Sequence, residues 1–351
     1  MLSGLSEKPL VSILTPCRNS AKFIECCIQS VLSQDYPYVE PIIQDGASTD
    51  ETVDILRRYE GCVDWISEKD NGQSDGLNRA LGRCRGEIIG VLNSDDEYLS
   101  HAARWAVENM RKYPKAAVIY GQQYLIDSHG RRLPWNAADA MPYDFKKIFC
   151  CEDVIPAQAA FIRRTALEAV GFYVDVSRRT CPDFEMWVRI GLKFPMRYVP
   201  GHVANYRIHP GSESQQDDLV DEFVKSKTEV VKKVCDDPNT PEKIRVWKRY
   251  ARSKILIWSS NHLMPPMKTG KYHRAVVQVA KAFWMWPSLR TFKFLLTLLF
   301  FSLASVFPAL TFIEKVNVSK IRETGRKIDH RLLGGLVYRF LYLPLKNLHS
   351  K

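Results

Sequence analysis

Two acidic clusters in the first third of the chain could do chemistry. The first is Asn93-Ser94-Asp95-Asp96, which directly follows the apolar run 88–92. Two adjacent carboxylates repel each other unless a cation joins them, and Mg²⁺ or Mn²⁺ takes carboxylate and phosphate oxygens together. Asp95 and Asp96 therefore predict a divalent metal that joins the protein to a diphosphate. The alternative is a helix cap or a surface turn, where Asp is also favoured.

The second cluster, Gln44-Asp45-Gly46, stands at the end of the apolar run 39–44. A carboxylate at this position can accept hydrogen bonds from a nucleobase or a ribose, and Gly46 allows a tight turn beside a ligand. A third polar segment, Thr15-Pro16-Cys17-Arg18-Asn19, ends the apolar run 10–15. Each cluster alone is also compatible with an unoccupied helix N-terminus, but three successive strand ends with polar residues indicate one binding crevice.

The elements that position these residues alternate between short apolar runs and amphipathic patterns. We predict strands at 10–15, 39–44, 63–67, 88–92 and 117–120, and helices at 21–34, 48–59, 74–83 and 102–113. This alternation is typical of a doubly wound α/β sheet, in which ligands bind at the carboxyl ends of the strands. Beyond residue 120 we predict a hairpin at 122–132, a loop at 171–182, a helix at 183–193 and a helical region from 217 to about 286.

At these motifs the chain resembles the family 2 glycosyltransferases, which have the Rossmann-like GT-A fold and move a sugar from a nucleotide diphosphate to an acceptor. SILTPCRN (12–19) resembles the family's opening strand and turn, QDGASTDET (44–52) its VDDGSTD segment, and LNSDD (92–96) its metal-binding position. CPDFEMWVR (181–189) resembles the segment that supplies the catalytic base, and YRIHPGS (206–212) a closing motif of bacterial members. The ordered set covers about residues 10–215.

The resemblance implies roles for the matching residues. Asp183 would be the catalytic base, taking the proton of the acceptor hydroxyl as it attacks the anomeric carbon with inversion. Asp95, Asp96 and His209 would bind the divalent metal, Mn²⁺ or Mg²⁺. The residues that would contact the nucleotide sugar are Pro16, Asn19, Asp45, Asp75, Asn78, Arg79, Asp95 and Arg207.

Two positions depart from the family pattern. Pro182 stands where the family often has Glu, which leaves Asp183 as the base, and Gly76-Leu77 stands where many members have Ala-Arg, so Arg79 is the candidate to replace that cation. Each role has a structural alternative: Asp183 can cap its helix, and His209 can be a structural or surface histidine. For Trp187 we favour core packing over a platform for the acceptor.

Charge and cysteine usage restrict the possible functions. The net charge of +11 comes from residues 271–351, with 14 Lys and Arg against 3 Asp and Glu, because residues 1–270 contain 36 of each sign. This basic tail is interleaved with apolar runs, so we expect no nucleic-acid partner. The nine cysteines show no spacing typical of a zinc site or a disulfide framework. The N-terminal residues lack the pattern of a signal peptide, so we expect the catalytic region to be cytoplasmic.

The tail suggests a membrane surface as partner, through residues 284–351. Residues 294–313 carry no charge, and a helix of this length would extend about 30 Å, enough to cross the hydrocarbon layer. Pro308, the basic flanks and the nearby Trp284 and Trp286 favour an in-plane or re-entrant helix instead. A second apolar stretch at 332–345 is amphipathic. The alternative is a C-terminal helix packed on the core or on a partner subunit.

The sequence thus predicts two regions, a GT-A catalytic domain at 1–225 and a helical, basic, membrane-associating region at 226–351. The predicted function is an inverting, metal-dependent transferase acting on a nucleotide sugar, UDP-linked by preference, and on a saccharide or lipid-linked acceptor. The predicted location is the cytoplasmic face of the plasma membrane. The alternatives are a non-catalytic membrane scaffold and a sugar nucleotidyltransferase, although CRNSAKF (17–23) lacks the glycine-rich basic loop of the latter.

Overall fold

The computed structural model describes residues 2, 4–134, 141–177, 180–213, 216, 219–262, 272–288, 291–296 and 298–299. The chain divides into two compact units. The first comprises Met1–Phe149 and Asp153–Gln216, and the second comprises Cys150–Glu152 and Asp217–Lys351. The predicted domain boundary, after residue 225, lies within the first helix of the second unit.

The first unit is built on a single mixed sheet. Its strands are β1 (Val11–Cys17), β2 (Val39–Asp45), β3 (Asp64–Ser67), β4 (Ile88–Val91), β5 (Glu97–Tyr98), β6 (Val118–Ile126), β7 (Ala160–Arg163) and β8 (Met196–Arg207). They lie in the order β3-β2-β1-β4-β7-β6-β8-β5. The four strands β1 to β4 are parallel, β7 is antiparallel to both of its neighbours, and β5 is antiparallel to β8. The fold is therefore α/β as predicted, but the sheet is mixed, because β7 and β5 run antiparallel to their neighbours.

Helices connect these strands. They are α1 (Ile24–Leu32), α2 (Thr52–Arg57), α3 (Gln73–Arg83), α4 (Ala102–Lys112), α5 (Phe145–Phe149), α6 (Arg164–Ala169) and α7 (Pro182–Gly191), with a short 3₁₀ turn at Ala157–Ala159. All seven residues of β1 are buried, as expected for a parallel strand covered on both faces. The predicted strands and helices up to residue 120 are all present, with boundaries within a few residues for most of them.

Three features of the first unit differ from the predictions. The strands β5, β7 and β8 were not predicted, and β8 is the longest strand of the sheet. The helix predicted at 48–59 is shorter in the structure, since α2 begins at Thr52 and Asp50 accepts the Thr52 N–H at 3.1 Å. The predicted hairpin at 122–132 is a tight turn closed by one bridge between Ile126 and Arg132. Most of β6 pairs instead with β8, in parallel.

The second unit is helical in its described part. It contains α8 (Val220–Asp236), α9 (Glu242–Arg245), α10 (Lys248–His262) and α11 (Tyr272–Met285), followed by helical residues at 291–296 and 298–299. No helix within the described residues combines the length and the hydropathy needed to cross a membrane. Most of the apolar stretch at 294–313, and all of that at 332–345, lies outside the described residues.

Candidate active site

Three strand ends meet at one edge of the sheet, as the sequence predicted. Cys17 at the end of β1 pairs in register with Asp45 at the end of β2, and β4 lies on the other side of β1. The acidic segment 93–96 directly follows β4. The polar residues after β1, β2 and β4 therefore surround a common crevice.

Asp95 and His209 form a partly exposed pair of side chains at this edge of the sheet. The Oδ2 atom of Asp95 lies 3.0 Å from Nε2 of His209, and their side chains are 25% and 16% exposed. The His209 ring packs on the ring of Phe23, with 4.8 Å between centroids. Residues 114 apart in the chain thus present a carboxylate and an imidazole nitrogen at one accessible point.

Asp96, the neighbour of Asp95, is fully buried. Its Oδ1 accepts the Arg207 N–H at 2.8 Å, and its Oδ2 accepts Asn93 Nδ2 at 3.3 Å. Burial raises the pKa of Asp96 well above its ordinary value, and the nearby charge of Asp95 raises it further. Asp96 thus joins β8 to the acidic segment, and its metal-binding role stays a prediction.

Arg207 is also part of this scaffold. Its side chain is 3% exposed and donates Nε to the Asp95 carbonyl at 2.8 Å and Nη1 to the Asp127 carbonyl at 3.1 Å. Nη2 pairs with the carboxylate of Glu97. The guanidinium, predicted to contact a diphosphate, therefore holds the backbone that carries Asp95.

Asp45 has the same kind of internal role at the end of β2. It is fully buried, and its Oδ2 accepts the Ser48 N–H at 2.9 Å and the Ser67 hydroxyl at 2.6 Å. Oδ1 accepts the Ser48 hydroxyl and the Cys17 thiol. Burial and the charge of Asp45 raise the pKa of Cys17 well above its ordinary value. The carboxylate closes the loop after β2, and its contact with a nucleoside stays a prediction.

Asn19 joins the loop after β1 to the loop after β2. Its N–H donates to the Ser48 hydroxyl at 2.7 Å, and its Oδ1 accepts the Thr49 N–H at 2.8 Å. Asn19 adopts a left-handed conformation with φ 50°, which Asn tolerates better than most residues. The side chain is exposed at the end of β1, and its contact with the nucleotide sugar stays a prediction.

Three predicted contact residues on α3 have partners within the protein. The Asp75 carboxylate accepts the Asn71 N–H at 3.0 Å and pairs with Arg79, and these contacts lower its pKa. Arg79 also pairs with Glu68 at 2.7 Å. Asn78 bonds the backbone of Val174 in both directions, at 2.8 and 2.6 Å. Asn78 thereby anchors the loop that precedes α7.

Asp183 lies in the first turn of α7, where it is half-buried. The helix starts after Cys181, whose φ of 56° is left-handed, and Pro182 occupies its first position. The other acid of this turn, Glu185, is 5% exposed and pairs with Arg189 at 3.0 Å. Asp183 is therefore the more accessible acid of the segment. Trp187 is 3% exposed and belongs to the core, which confirms the packing interpretation.

Comparison with known proteins finds similarity to one family. Residues 12–171 match the family model described as "Glycosyl transferase family 2". The resemblance to family 2 glycosyltransferases is confirmed. The chain is 29% identical over 208 residues to the chondroitin synthase of Escherichia coli, covering 58% of this chain and 30% of that protein. It is 42% identical over 95 residues to the putative teichuronic acid biosynthesis glycosyltransferase TuaG of Bacillus subtilis, covering 26% and 38%. The chain thus spans less than half of either relative.

Solved structures share the fold of this chain. TarS 1–349 of S. aureus, in complex with UDP-GlcNAc, is 16% identical with a TM-score of 0.54, covering 86% of this chain and 82% of that one. The mannosyltransferase PcManGT of Pyrobaculum calidifontis, in complex with GDP-Man and Mn²⁺, is 15% identical with a TM-score of 0.55, covering 89% and 88%. At these identities the likeness establishes a GT-A-like fold.

One acidic residue near these strand ends was missed as a separate candidate. A Cβ added to Gly46 would lie 2.8 Å from Oδ2 of Asp70, and one added to Gly76 would lie 3.0 Å from the same oxygen and 3.6 Å from Cβ of Pro16. The two glycines therefore make room for the Asp70 carboxylate beside Pro16. Asp70 follows β3 by three residues, as Asp45 ends β2, and this repeated strand-end position was the signal available in the sequence.

Proposed function

We propose that this chain is an inverting, metal-dependent glycosyltransferase that uses a nucleotide-diphosphate sugar, by preference a UDP-sugar, in the synthesis of a surface polysaccharide or glycolipid. The observation that carries the proposal is the accessible Asp95–His209 pair at the meeting point of the parallel strand ends. The names of the relatives support polysaccharide synthesis. The complexes of the structural neighbours with UDP-GlcNAc and GDP-Man support a nucleotide-sugar donor.

The proposed metal ligands are Asp95 and His209. A carboxylate oxygen and an imidazole nitrogen at one accessible point suit a divalent cation such as Mn²⁺ or Mg²⁺. No group of three or more His, Cys, Asp or Glu side chains surrounds a common point in the described ranges, so donor phosphates and water would complete the shell. When bound, the cation would offset the negative charge that develops on the departing diphosphate.

Only one of the two tautomers of His209 could bind the metal ion through Nε2. Its Nδ1 accepts the Gly211 N–H at 3.2 Å, so Nε2 carries the proton and donates it towards Asp95. A nitrogen can bind a cation only through its lone pair. Metal binding at Nε2 therefore requires the proton to be on Nδ1 and the Gly211 contact to change.

Asp183 is the proposed general base. Its place in the first turn of α7 is stabilised by the contacts of Arg189 with the loop before the helix, at 2.9 Å to the Val170 carbonyl and 2.8 Å to the Gly171 carbonyl. In the proposed reaction Asp183 takes the proton of the acceptor hydroxyl while that oxygen bonds to the anomeric carbon. The bond from this carbon to the diphosphate oxygen breaks in the same displacement, which inverts the configuration.

The acceptor is proposed to be a lipid-linked saccharide, and the enzyme to work at the cytoplasmic face of the plasma membrane. This part of the proposal rests on the basic, apolar composition of residues 271–351. A membrane-bound acceptor would explain why a transferase carries such a tail. The surface that could contact the membrane is considered in the next subsection.

The decisive experiment is a transfer assay with the full-length chain and a panel of UDP- and GDP-sugars, with and without Mn²⁺. We expect Asp183→Asn to lower transfer about 10²–10⁴-fold while the donor still raises the melting temperature, because a general base acts on the acceptor. The matched control is Asp54→Asn, an exposed acid on α2 whose loss should leave transfer unchanged. NMR of the product should show the anomeric configuration opposite to that of the donor.

Two results would each reject a different part of the proposal. Full transfer by Asp183→Asn would remove Asp183 as the base but leave the transferase activity in place. Failure of every nucleotide sugar to be hydrolysed, transferred or bound by the wild-type chain would instead favour the non-catalytic scaffold.

A further inference from the structure

Helix α11 of the second unit is apolar on two opposite faces. Ala275, Val279 and Ala282 are fully buried and form its inner face. On the opposite side Val277 is 47% exposed and Trp284 is 81% exposed. Helices that are apolar all round are found in protein interiors or in contact with a membrane, whereas a surface helix normally has one polar face. Part of the outer side of α11 therefore carries apolar side chains where a helix exposed to water normally carries polar ones.

The helical residues at 291–296 and 298–299 repeat this pattern. Thr291 and Leu298 are buried, while Phe292, Leu296 and Leu299 are 42%, 50% and 39% exposed. These three side chains fall on one side of a helix because they are spaced by four and three residues. The rings of Phe283 and Phe292 lie 5.7 Å apart, so the two helical segments are in contact.

The name outer apolar face is used for the exposed apolar side chains of these two segments, each set on its own helix: Val277, Trp284, Phe292, Leu296 and Leu299. Isolated exposed apolar residues are ordinary, but a concentration of them marks a contact surface. These five, together with the 44% exposed Trp286, lie within 23 residues of a described chain more than ten times as long. The outer apolar face thus has the composition of a surface that contacts another molecule or a membrane when the protein functions.

The charges around this face point to what covers it. Residues 271–313 contain five Lys and Arg and no Asp or Glu. Two of these cations, Lys281 on α11 and Lys293 beside Phe292, are exposed next to the outer apolar face. Tryptophan and lysine around an apolar stripe are typical of helices that lie in the interface of a bilayer, and cations favour a leaflet of anionic lipids.

We infer that the outer apolar face docks on an anionic lipid surface, with Trp284 inserted at the headgroup level and Lys281 and Lys293 on the phosphates. The inference deepens the proposed function, because it identifies the surface that would bring the enzyme to a lipid-linked acceptor. The inferred lipid contact lies on α11 and on the helical residues at 291–296 and 298–299. It therefore requires no helix that crosses the membrane.

Flotation with vesicles tests this docking on the full-length chain. We expect binding to vesicles of equal parts phosphatidylcholine and phosphatidylglycerol, and binding at least about 100-fold weaker for the double variant Trp284→Glu with Leu296→Glu, because two buried apolar side chains are lost. The control Val246→Glu changes a side chain that is 63% exposed in the turn between α9 and α10, and it should float as the wild type does. Flotation of the double variant equal to wild type would overturn the inference.

The electrostatic part has its own test. Lys281→Gln with Lys293→Gln should weaken binding to the anionic vesicles about thirtyfold, since each cation near an anionic leaflet contributes about fivefold. Binding to vesicles of phosphatidylcholine alone should change little. Equal weakening on both vesicle types would show that the lysines do not contact lipid phosphates, and it would overturn the anionic specificity.

Tryptophan fluorescence distinguishes the lipid from other occupants of the face. The signal of Trp284 is obtained as the difference between the wild type and Trp284→Phe, and brominated lipid should quench it when vesicles are added. Quenching by acrylamide before vesicles are added shows that Trp284 is accessible. A Trp284 shielded from acrylamide in the monomer would mean that residues 300–351 cover the face, and shielding in an oligomer that Trp284→Glu dissociates would mean that a second copy does. Either result would overturn the inference.

Donor hydrolysis by the same preparations separates this inference from the proposed function. The face lies in α11 and the helical residues after it, and none of its residues belongs to the proposed catalytic or donor-binding set. Hydrolysis of the donor should therefore be unchanged in the double variant. A chain that floats but hydrolyses no donor would support docking and reject the transferase.

Discussion

The loops after β2 and β4 each carry an aspartate, but the two carboxylates differ in burial and in their partners. Both begin with an acid at the carboxyl end of a parallel strand, at the same edge of the sheet. Asp45, after β2, is fully buried and accepts bonds from Ser48, Ser67 and Cys17. Asp95, after β4, is 25% exposed and faces His209. The first acid builds a loop, while the second remains accessible to a ligand.

The difference follows from the donors that each loop supplies. The β2 loop carries Ser48 three residues after Asp45, and β3 brings Ser67 alongside, so the carboxylate is satisfied by its own surroundings. In the β4 loop the corresponding donors, including the Arg207 N–H, go to Asp96. Asp96 is therefore the buried hydrogen-bond acceptor of the β4 loop, as Asp45 is of the β2 loop, while Asp95 stays partly exposed.

The largest expected effect is on activity at Asp95. Asp95→Asn should lower transfer about 10²–10³-fold, because the site loses the charge that offsets a cation next to the diphosphate. The melting temperature should stay close to wild type, since the Asp95 side chain is partly exposed and its backbone carbonyl still accepts Arg207 Nε. Steady-state transfer and thermal unfolding measure the two quantities. Wild-type turnover in this variant would contradict the assignment of the β4 loop as the ligand loop.

At Asp45 we expect the reverse, a loss of stability. Asp45→Ala should lower the free energy of unfolding by about 2–3 kcal/mol, because the Ser48 N–H and the Ser67 hydroxyl lose their partner in a buried place. Urea unfolding measures this change, and Asp54→Ala on the exposed side of α2 serves as the control with little effect. Unchanged stability combined with lost donor affinity would show that Asp45 contacts the ligand after all.

A smaller effect on activity is expected at Asp96. Asp96→Asn should reduce transfer less than about tenfold, because the residue is buried and its Oδ1 can still accept the Arg207 N–H. The measurement is the same transfer assay, with Asp95→Asn run in parallel. A loss as large as that of Asp95→Asn would mean that the two adjacent acids act on the ligand together, as the sequence alone suggested.

The smallest expected effect is the pH dependence contributed by Asp50 in the β2 loop. Burial raises the pKa of Asp50, but the hydrogen bonds from Thr52 and the Ala21 N–H outweigh it, so the folded-state pKa lies below the ordinary 3.8. A lowered pKa stabilises the folded state above 3.8, and this contribution is lost as the pH falls through the folded-state pKa. Urea unfolding at about pH 7 and about pH 3 should therefore show the stability gap between wild type and Asp50→Asn narrowing in acid. A gap that widens in acid would contradict the direction of the shift.

Local patterns sufficed for the first half of the fold. The strands β1 to β4 and the helices between them were predicted because buried parallel strands are short apolar runs and their connecting helices carry one apolar stripe. The strand β8 was not predicted, because its residues alternate irregularly and include Pro200 and Gly201. Its strand character depends on pairing with β6, about 80 residues away, and with β5.

Residue types and their order determined which side chains surround the crevice of this protein. Asp95 and Asn19 were named from polar residues at the ends of apolar strands, and Asp183 and His209 from the resemblance to the family motifs. Only the tertiary structure decided what each of them does. In the structure Asp45 and Asp96 accept hydrogen bonds from within the protein. Arg207 binds the backbone of Asp95, and Asn78 binds the loop before α7. The physical reason is that a polar group removed from water must be paired within the fold, and its partners lie in segments distant along the chain.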